Sequence, residues 1–262
     1  PSPIDNDSTL RILFANPRGL KLSGDILETE HSLGRCHSLG VGSLCMAEAD
    51  INWDNHRALG KFHGMLHKVW KHSKVSKSHT RDAFISEIQP GGTTTMVYNK
   101  WTSRVIESGV DPFGLGRWSF LTIRGRGDIK VLIVTAYRVC KQTVQSAGTK
   151  TSTAQQFRQL SAHFRGADMI EDPVPRHQFI VDLQGWLEHK VSENYYVILG
   201  IDANEPFYPG KGLYTPVDYQ LNHPIPIKGH DGTLSTLVKT SGLVDPLLIH
   251  HPEHPPPPTY DR

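Results

Sequence analysis

The chain has 262 residues, of which 37% are hydrophobic, 21% charged and 8% aromatic, a balance that supplies one large core and excludes collagen-like, coiled-coil and wholly disordered chains. Lys and Arg number 28 against 26 Asp and Glu, a formal charge of +2. The longest apolar runs, Val131 to Val134 and Tyr195 to Ile201, fall far short of the roughly 20 residues that span a bilayer, so no membrane partner is expected.

Leu10 to Ala15 is an apolar run ended by Asn16-Pro17 and Gly19, which predicts a buried strand feeding a turn. Val41 to Met46 is a second such run, and Glu48 follows it in Leu44-Cys45-Met46-Ala47-Glu48-Ala49-Asp50. Between Trp53 and Arg81, Leu59, Phe62, Leu66, Val69 and Trp70 recur at three- and four-residue spacing, which predicts a helix with its lysines turned outward. Residues 55–81 hold seven basic side chains, five histidines and no acid. A cationic island on an otherwise acidic chain suits a polyanion, and equally a solvated basic helix. His63 and His67 share a helical face, but without a third ligand at a supporting spacing they read as surface histidines rather than zinc ligands.

Phe84-Ile85, then Gly91-Gly92 before Thr93 to Tyr98, reads as strand, glycine turn, strand. Trp118 to Ile123 and Lys130 to Tyr137 flank the turn-rich Arg124-Gly125-Arg126-Gly127-Asp128 and predict a hairpin. Thr151 to Phe164 opens with Thr and Ser, places Gln155 and Gln156 for a capping box and stops at Gly166, as a helix does. A second helix is expected over Arg176 to Val191, a strand over Tyr195 to Ile201 and a short helix over Leu234 to Thr240. Strands and helices alternate without a regular βαβ beat, which favours layered sheets with helices outside. The proline-rich stretch from Pro252 to Thr259 excludes regular structure there.

Cys36, Cys45 and Cys140 are odd in number and lack CxxC spacing, which suggests neither a disulfide framework nor a zinc knuckle. Without a secretory leader at its start, the chain is expected in the nucleus or cytoplasm and not secreted.

The segment with most chemical content is Tyr195-Tyr196-Val197-Ile198-Leu199-Gly200-Ile201-Asp202-Ala203-Asn204. It delivers a carboxylate and an amide together at the C-terminal edge of a strand, where open sheets commonly place sites; a turn that merely caps the strand is the plainer alternative. Glu48 after the second strand suits Mg²⁺, which takes one or two carboxylates with waters and substrate phosphate.

Asn16 with Gly19-Leu20, Glu48, Tyr137 in a Tyr-Arg pair, and Gly200-Ile201-Asp202-Ala203-Asn204, in this order, resemble the endonuclease/exonuclease/phosphatase (DNase I-like) superfamily over nearly the whole chain. Asp111-Pro112-Phe113-Gly114-Leu115-Gly116-Arg117-Trp118 and Pro258-Thr259-Tyr260-Asp261-Arg262 look most like its retroelement branch, the endonuclease domains of non-LTR retrotransposons found beside a reverse transcriptase. The resemblance implies an α/β fold, a four-layer α/β/β/α sandwich of two mixed sheets over 1–249 that lacks its last strands, with 250–262 a loop leading toward them. It implies Mg²⁺ or Mn²⁺ as cofactor, DNA as partner and a reverse transcriptase domain in the same reading frame.

Glu48, with Asn16, is then expected at the metal. Asp202 positions or deprotonates the attacking water, Asn204 hydrogen-bonds the scissile phosphate, and Tyr137 stabilises charge on its oxygens. Lys68, Lys71, Lys74, Lys77 and Arg138 are expected to contact nucleic acid. Three departures stand out. Arg18 occupies a position where many relatives carry Asp or Asn, Ile201 lengthens the usual Gly-Asp junction, and the C-terminal Ser-Asp-His is absent, His250, His251 and His254 lying too early to replace it. The chain as given is therefore expected to be nearly inactive while the longer reading frame is active. A phosphatase acting on a small phosphate ester, disfavoured by the basic segment, and a non-catalytic nucleic-acid-binding domain remain as alternatives.

Overall fold

The computed structural model describes residues 9–22, 24, 26–81, 88–142, 148–166, 172–205, 233–244 and 246. The strand expected at Phe84-Ile85 and the proline-rich 250–262 lie outside them.

Two mixed sheets form the centre. In the first, β1 (Ile12–Ala15), β2 (Ser43–Ala47), β3 (Ser73–Ser78) and β4 (Thr93–Tyr98) run in the order β1-β2-β4-β3. In the second, β5 (Val105–Val110), β6 (Trp118–Arg124), β7 (Lys130–Tyr137) and β8 (Tyr195–Asp202) run in sequence order. Each sheet contains one parallel pair, β1 with β2 and β7 with β8, the other neighbours being antiparallel. Helices α1 (Leu27–Ser38) and α2 (His56–Val69) cover the outer face of the first sheet, burying Leu33, Cys36, Phe62 and Leu66 against Leu44, Met46 and Met96. Helices α4 (Pro175–Ser192) and α5 (Thr233–Thr240), with α3 (Ser152–Gly166) beside them, cover the second sheet, where Phe179, Leu183, Leu187 and Leu237 meet Trp118, Leu132 and Val134. Cys45 and Val97 pack across the middle on Leu121, Ile123 and Ile133. This is the four-layer α/β/β/α arrangement expected from the sequence. Among the described residues no helix is long and apolar enough to cross a membrane.

The expected helix over 53–81 is corrected. It starts where Asn55 caps it, its side chain accepting from the Arg57 and Ala58 amides at 3.0 Å each, and it stops at Val69. Trp70 turns extended and stacks on Tyr98 at 3.7 Å, after which alternating Ser, Lys and Val residues pair with β4 as an edge strand. Lysines on an edge discourage pairing with other chains, so part of the cationic run is explained by the fold itself. The Gln155 and Gln156 side chains do not close the expected capping box either. Thr151 Oγ1 accepts from the Ala154 amide at 3.3 Å, while Gln155 donates to the Lys150 carbonyl and Gln156 to that of Leu115, at 2.8 and 3.0 Å. The Gln156 bond pins α3 to the loop between β5 and β6.

The extra residue at Ile201 is absorbed without a bulge, since β7 and β8 stay in register from Lys130↔Tyr195 to Tyr137↔Asp202. Gly200 lies directly under the Phe14 ring, where a Cβ would come within 1.6 Å of the Phe14 Cδ1. Residues two apart share a face of a strand, so Phe14 over Gly200 aligns Asn16 with Asp202. Gly200→Ala is expected to push β1 off β8 and to lower the unfolding free energy by about 1–3 kcal/mol, measured by urea denaturation. Phe14→Ala in the same chain should recover part of that loss; no recovery would show that the Phe14 contact is not its cause.

Candidate active site

The two parallel pairs end at the same end of the sandwich. Asn16 follows β1 and Glu48 follows β2 in one sheet, while Tyr137 and Asp202 end β7 and β8 as register partners in the other. The loop after β1 is tied to the one after β2 by bonds from the Gly19 and Leu20 amides to the Glu48 and Ala49 carbonyls, both 2.9 Å. Arg18, Glu48, Asp50 and Asn204 all have φ between 47° and 55°. Such left-handed backbone in non-glycine residues costs energy and clusters at functional sites.

Asn16 is the link. Its Nδ2 donates to Glu48 Oε2 at 2.7 Å and to Asp202 Oδ2 at 2.6 Å, and its Oδ1 accepts from the Arg18 amide at 2.7 Å. Through these three bonds Asn16 orients the Glu48 and Asp202 carboxylates. Tyr137 is buried and its hydroxyl donates to Glu48 Oε1 at 3.3 Å. Burial, reinforced by the charges of Glu48, Asp202 and Asp50, pushes this phenol well above its ordinary range, so it acts as a neutral donor. The Asn204 amide N–H donates to Asp202 Oδ1 at 3.2 Å, and its side chain is clamped between the Arg138 carbonyl at 2.7 Å and the Cys140 thiol at 3.3 Å.

Two neighbours escape a reading of the sequence. Cys140 reaches Asn204 only because the chain turns after β7. Asp50 is brought in by the turn that follows Glu48; its Oδ1 accepts from the Gly91 amide at 2.6 Å. Burial holds the Asp50 carboxyl up at about 6 from its usual 3.8, Glu48 adding to the rise and the Gly91 bond opposing it. A carboxyl whose folded pKa is raised contributes stability that is complete below about pH 4 and is lost as pH rises through about 6. In EDTA, Asp50→Asn should therefore gain stability relative to the parent between pH 4 and pH 7, followed by thermal unfolding. A constant gap across that range would contradict the assignment.

The basic residues separate. Lys68 is ion-paired with Glu30 at 2.6 Å, Lys71 precedes β3, and Lys74 lies near its start, opposite Val97 of β4. At about 3.3 Å per residue, Lys71 is roughly 20 Å from Ser78, which marks the site's end of that strand. Lys77 is the member carried toward the site. Arg138 is corrected outright: it is fully buried, paired with Glu205, and donates to the Arg176 carbonyl at 3.1 Å. Its place beside Tyr137 is thus a core position, with its backbone amide on the Asp202 carbonyl at 2.9 Å.

Among the described residues no group of three or more His, Cys, Asp or Glu is placed to hold a metal ion. What is present is a pair of carboxylates, Glu48 and Asp202, each accepting from Asn16. This donor set fits a hard divalent cation such as Mg²⁺, which is commonly held through one or two carboxylates with waters and substrate completing the shell. It does not fit a soft ion that needs thiolate or imidazole.

The sequence matches no protein-family model and no curated protein. The structure is similar to an AP endonuclease from Archaeoglobus fulgidus, with a TM-score of 0.54 and 14% identity over 94% of this chain and 76% of that one. It is also similar to the 3′ phosphatase NExo from Neisseria bound to product DNA hairpin, with a TM-score of 0.53 and 13% identity over 93% and 76%. At these identities the likeness is one of fold, and the fold is the DNase I-like sandwich.

Proposed function

We propose that the chain carries a divalent-metal-dependent phosphodiesterase site acting on DNA, the endonuclease domain of a retroelement. The observation that carries this reading is Asn16 holding Glu48 and Asp202 together across two sheets at the C-terminal ends of their parallel strands. The DNA enzymes named among its structural relatives support it. The retroelement context and a reverse transcriptase in the same reading frame rest on the sequence resemblance alone.

In this mechanism Glu48 holds the cation and Asn16 keeps its carboxylate turned outward. Mg²⁺ or Mn²⁺, when bound, polarises the phosphate and neutralises charge that develops on it. Asp202, fixed at one oxygen by Asn16 and at the other by the Asn204 amide, orients the attacking water and draws on its proton. With substrate bound, the Tyr137 hydroxyl turns its one hydrogen from Glu48 to a phosphate oxygen, and Asn204 offers the side-chain N–H that the Arg138 carbonyl does not take, donors that stabilise a developing oxyanion. Low turnover by residues 1–262 alone, the expectation raised by the sequence lacking a Ser-Asp-His, is part of the proposal, since a positioned general acid or base contributes roughly 10²–10⁴-fold.

Supercoiled plasmid incubated with Mg²⁺ tests this, using the 262-residue chain and an extended product of the same reading frame. Nicking by the extended protein that EDTA stops is the expected result. Retention of DNA without nicking by either protein would instead leave a non-catalytic binding domain.

A further inference from the structure

On the far side of the sandwich from β1 and β8, the edges of β3 and β5 enclose an open groove of about 770 Å³ that the chemistry above does not use. Its volume lies within the roughly 300–1,000 Å³ of pockets that hold a sizeable ligand. Lys77, His79 and Arg81, from β3 and the segment after it, line one wall. Neither Lys77 nor Arg81 pairs with a carboxylate among the described residues. Asp111 on the opposite wall is already bound by Arg117, bidentate at 2.6 and 3.0 Å. The exposed carboxylate in the groove is Asp54, 3.4 Å from the His79 Nε2. Phe113 projects from that opposite wall, 47% exposed, its ring backed by the Arg117 guanidinium at 5.5 Å and met edge-on by His163 at 5.7 Å.

The groove opens at the end of the sandwich that carries the Asn16–Glu48–Asp202 cluster. The link is the turn before β4. Gly91 and Gly92 have φ of 78° and 79°, and added Cβ atoms would strike Tyr137 at 3.0 Å from Gly91 and the Ser78 carbonyl at 2.7 Å from Gly92. Both positions need glycine, and the turn they make is wedged between Ser152 and Tyr137 on one side, the Ser152 Oγ nearest to a Cβ at Gly91 at 2.7 Å, and the end of β3 on the other.

We propose that this groove is a track for a nucleic-acid strand running away from the cut, with Lys77 and Arg81 on its phosphates and Phe113 as a face on which a base stacks. The inference rests on the endonuclease reading and extends it to the substrate's path. Cations on one wall and an exposed aromatic on the other are what a nucleotide strand uses; an inorganic anion would have no use for Phe113. It also reassigns the contact expected of the whole basic segment to its last residues, because Lys68 is paired and Lys71 and Lys74 lie at the other end.

The test is binding of the 262-residue chain in EDTA to a labelled duplex with a single-stranded extension, titrated with salt. A protein that neutralises Z phosphates shows a log–log salt slope near −0.9Z. Lys77→Gln/Arg81→Gln is expected to bind roughly tenfold more weakly at about 0.1 M salt, with a slope shallower by roughly 2. Lys71→Gln/Lys74→Gln, which loses the same charge, should keep wild-type affinity and slope. Phe113→Ala should lose roughly tenfold in affinity with the slope unchanged. Equal losses in the two lysine-containing variants would overturn the groove while leaving the endonuclease reading intact, as would wild-type behaviour of both groove variants. A wild-type chain that retains no DNA at any salt would overturn both.

Discussion

Asp202→Asn in the extended reading frame is expected to lower Mg²⁺-dependent plasmid nicking by at least about 10³-fold, the upper range for losing a group that orients and deprotonates water. The substitution keeps the shape of the side chain but puts an NH₂ where either Asn16 Nδ2 or the Asn204 amide now donates, at 2.6 and 3.2 Å, so one of the two bonds becomes donor against donor. Tyr137→Phe removes only the hydroxyl that donates to Glu48 and should cost roughly 10²-fold, the usual effect of deleting one charge-stabilising donor. Initial rates of relaxed-circle formation measure both. The order matters more than the size: a Tyr137→Phe loss exceeding that of Asp202→Asn would show that Asp202 is not the group facing the water.

Glu205→Gln should destabilise the fold by about 3–5 kcal/mol, the cost of leaving one member of a buried ion pair without its partner. Glu205 is 1% exposed, paired with the fully buried Arg138 and, at 3.3 Å, with Arg176. The pair sits directly behind the site, since the Arg138 carbonyl accepts from Asn204 Nδ2 and Arg176 donates to the Val139 carbonyl at 2.6 Å. A comparison with Lys21→Gln separates burial from charge: Lys21 pairs with Glu28 at 2.5 Å, but both side chains are more than half exposed, and such pairs are worth about 0–1 kcal/mol. Urea denaturation of the two variants should differ severalfold in loss of stability. Similar losses would mean that the Arg138–Glu205 pair is not the buttress described.

Much of the candidate site is legible because each residue follows an apolar run. Asn16, Glu48, Tyr137 and Asp202 all stand at strand C-termini, where the change from apolar to polar is visible in one dimension, and the parallel pairs bring those ends together. The segment 71–78 reads as helix in the sequence because helical spacing of apolar residues persists up to Trp70, whereas the chain turns there as Trp70 stacks against Tyr98, a residue 28 positions away in sequence. Helix α1 gave little signal: its buried stripe includes Thr29 and Cys36 beside a single leucine. Arg138 reads as a phosphate contact because it stands next to a site tyrosine, and only the folded chain shows Glu205 meeting it inside. Asp50 and Cys140 are set by positive-φ turns and by backbone direction, which composition and periodicity do not encode.

The most direct test of the site is metal binding without turnover: Mn²⁺ titrated into the 262-residue chain, with free Mn²⁺ followed by electron paramagnetic resonance, for wild type and Glu48→Gln. One Mn²⁺ held per wild-type chain and loss of that binding in Glu48→Gln is the predicted result. Equal Mn²⁺ binding by the two proteins would place the cation elsewhere and contradict the role given to Glu48.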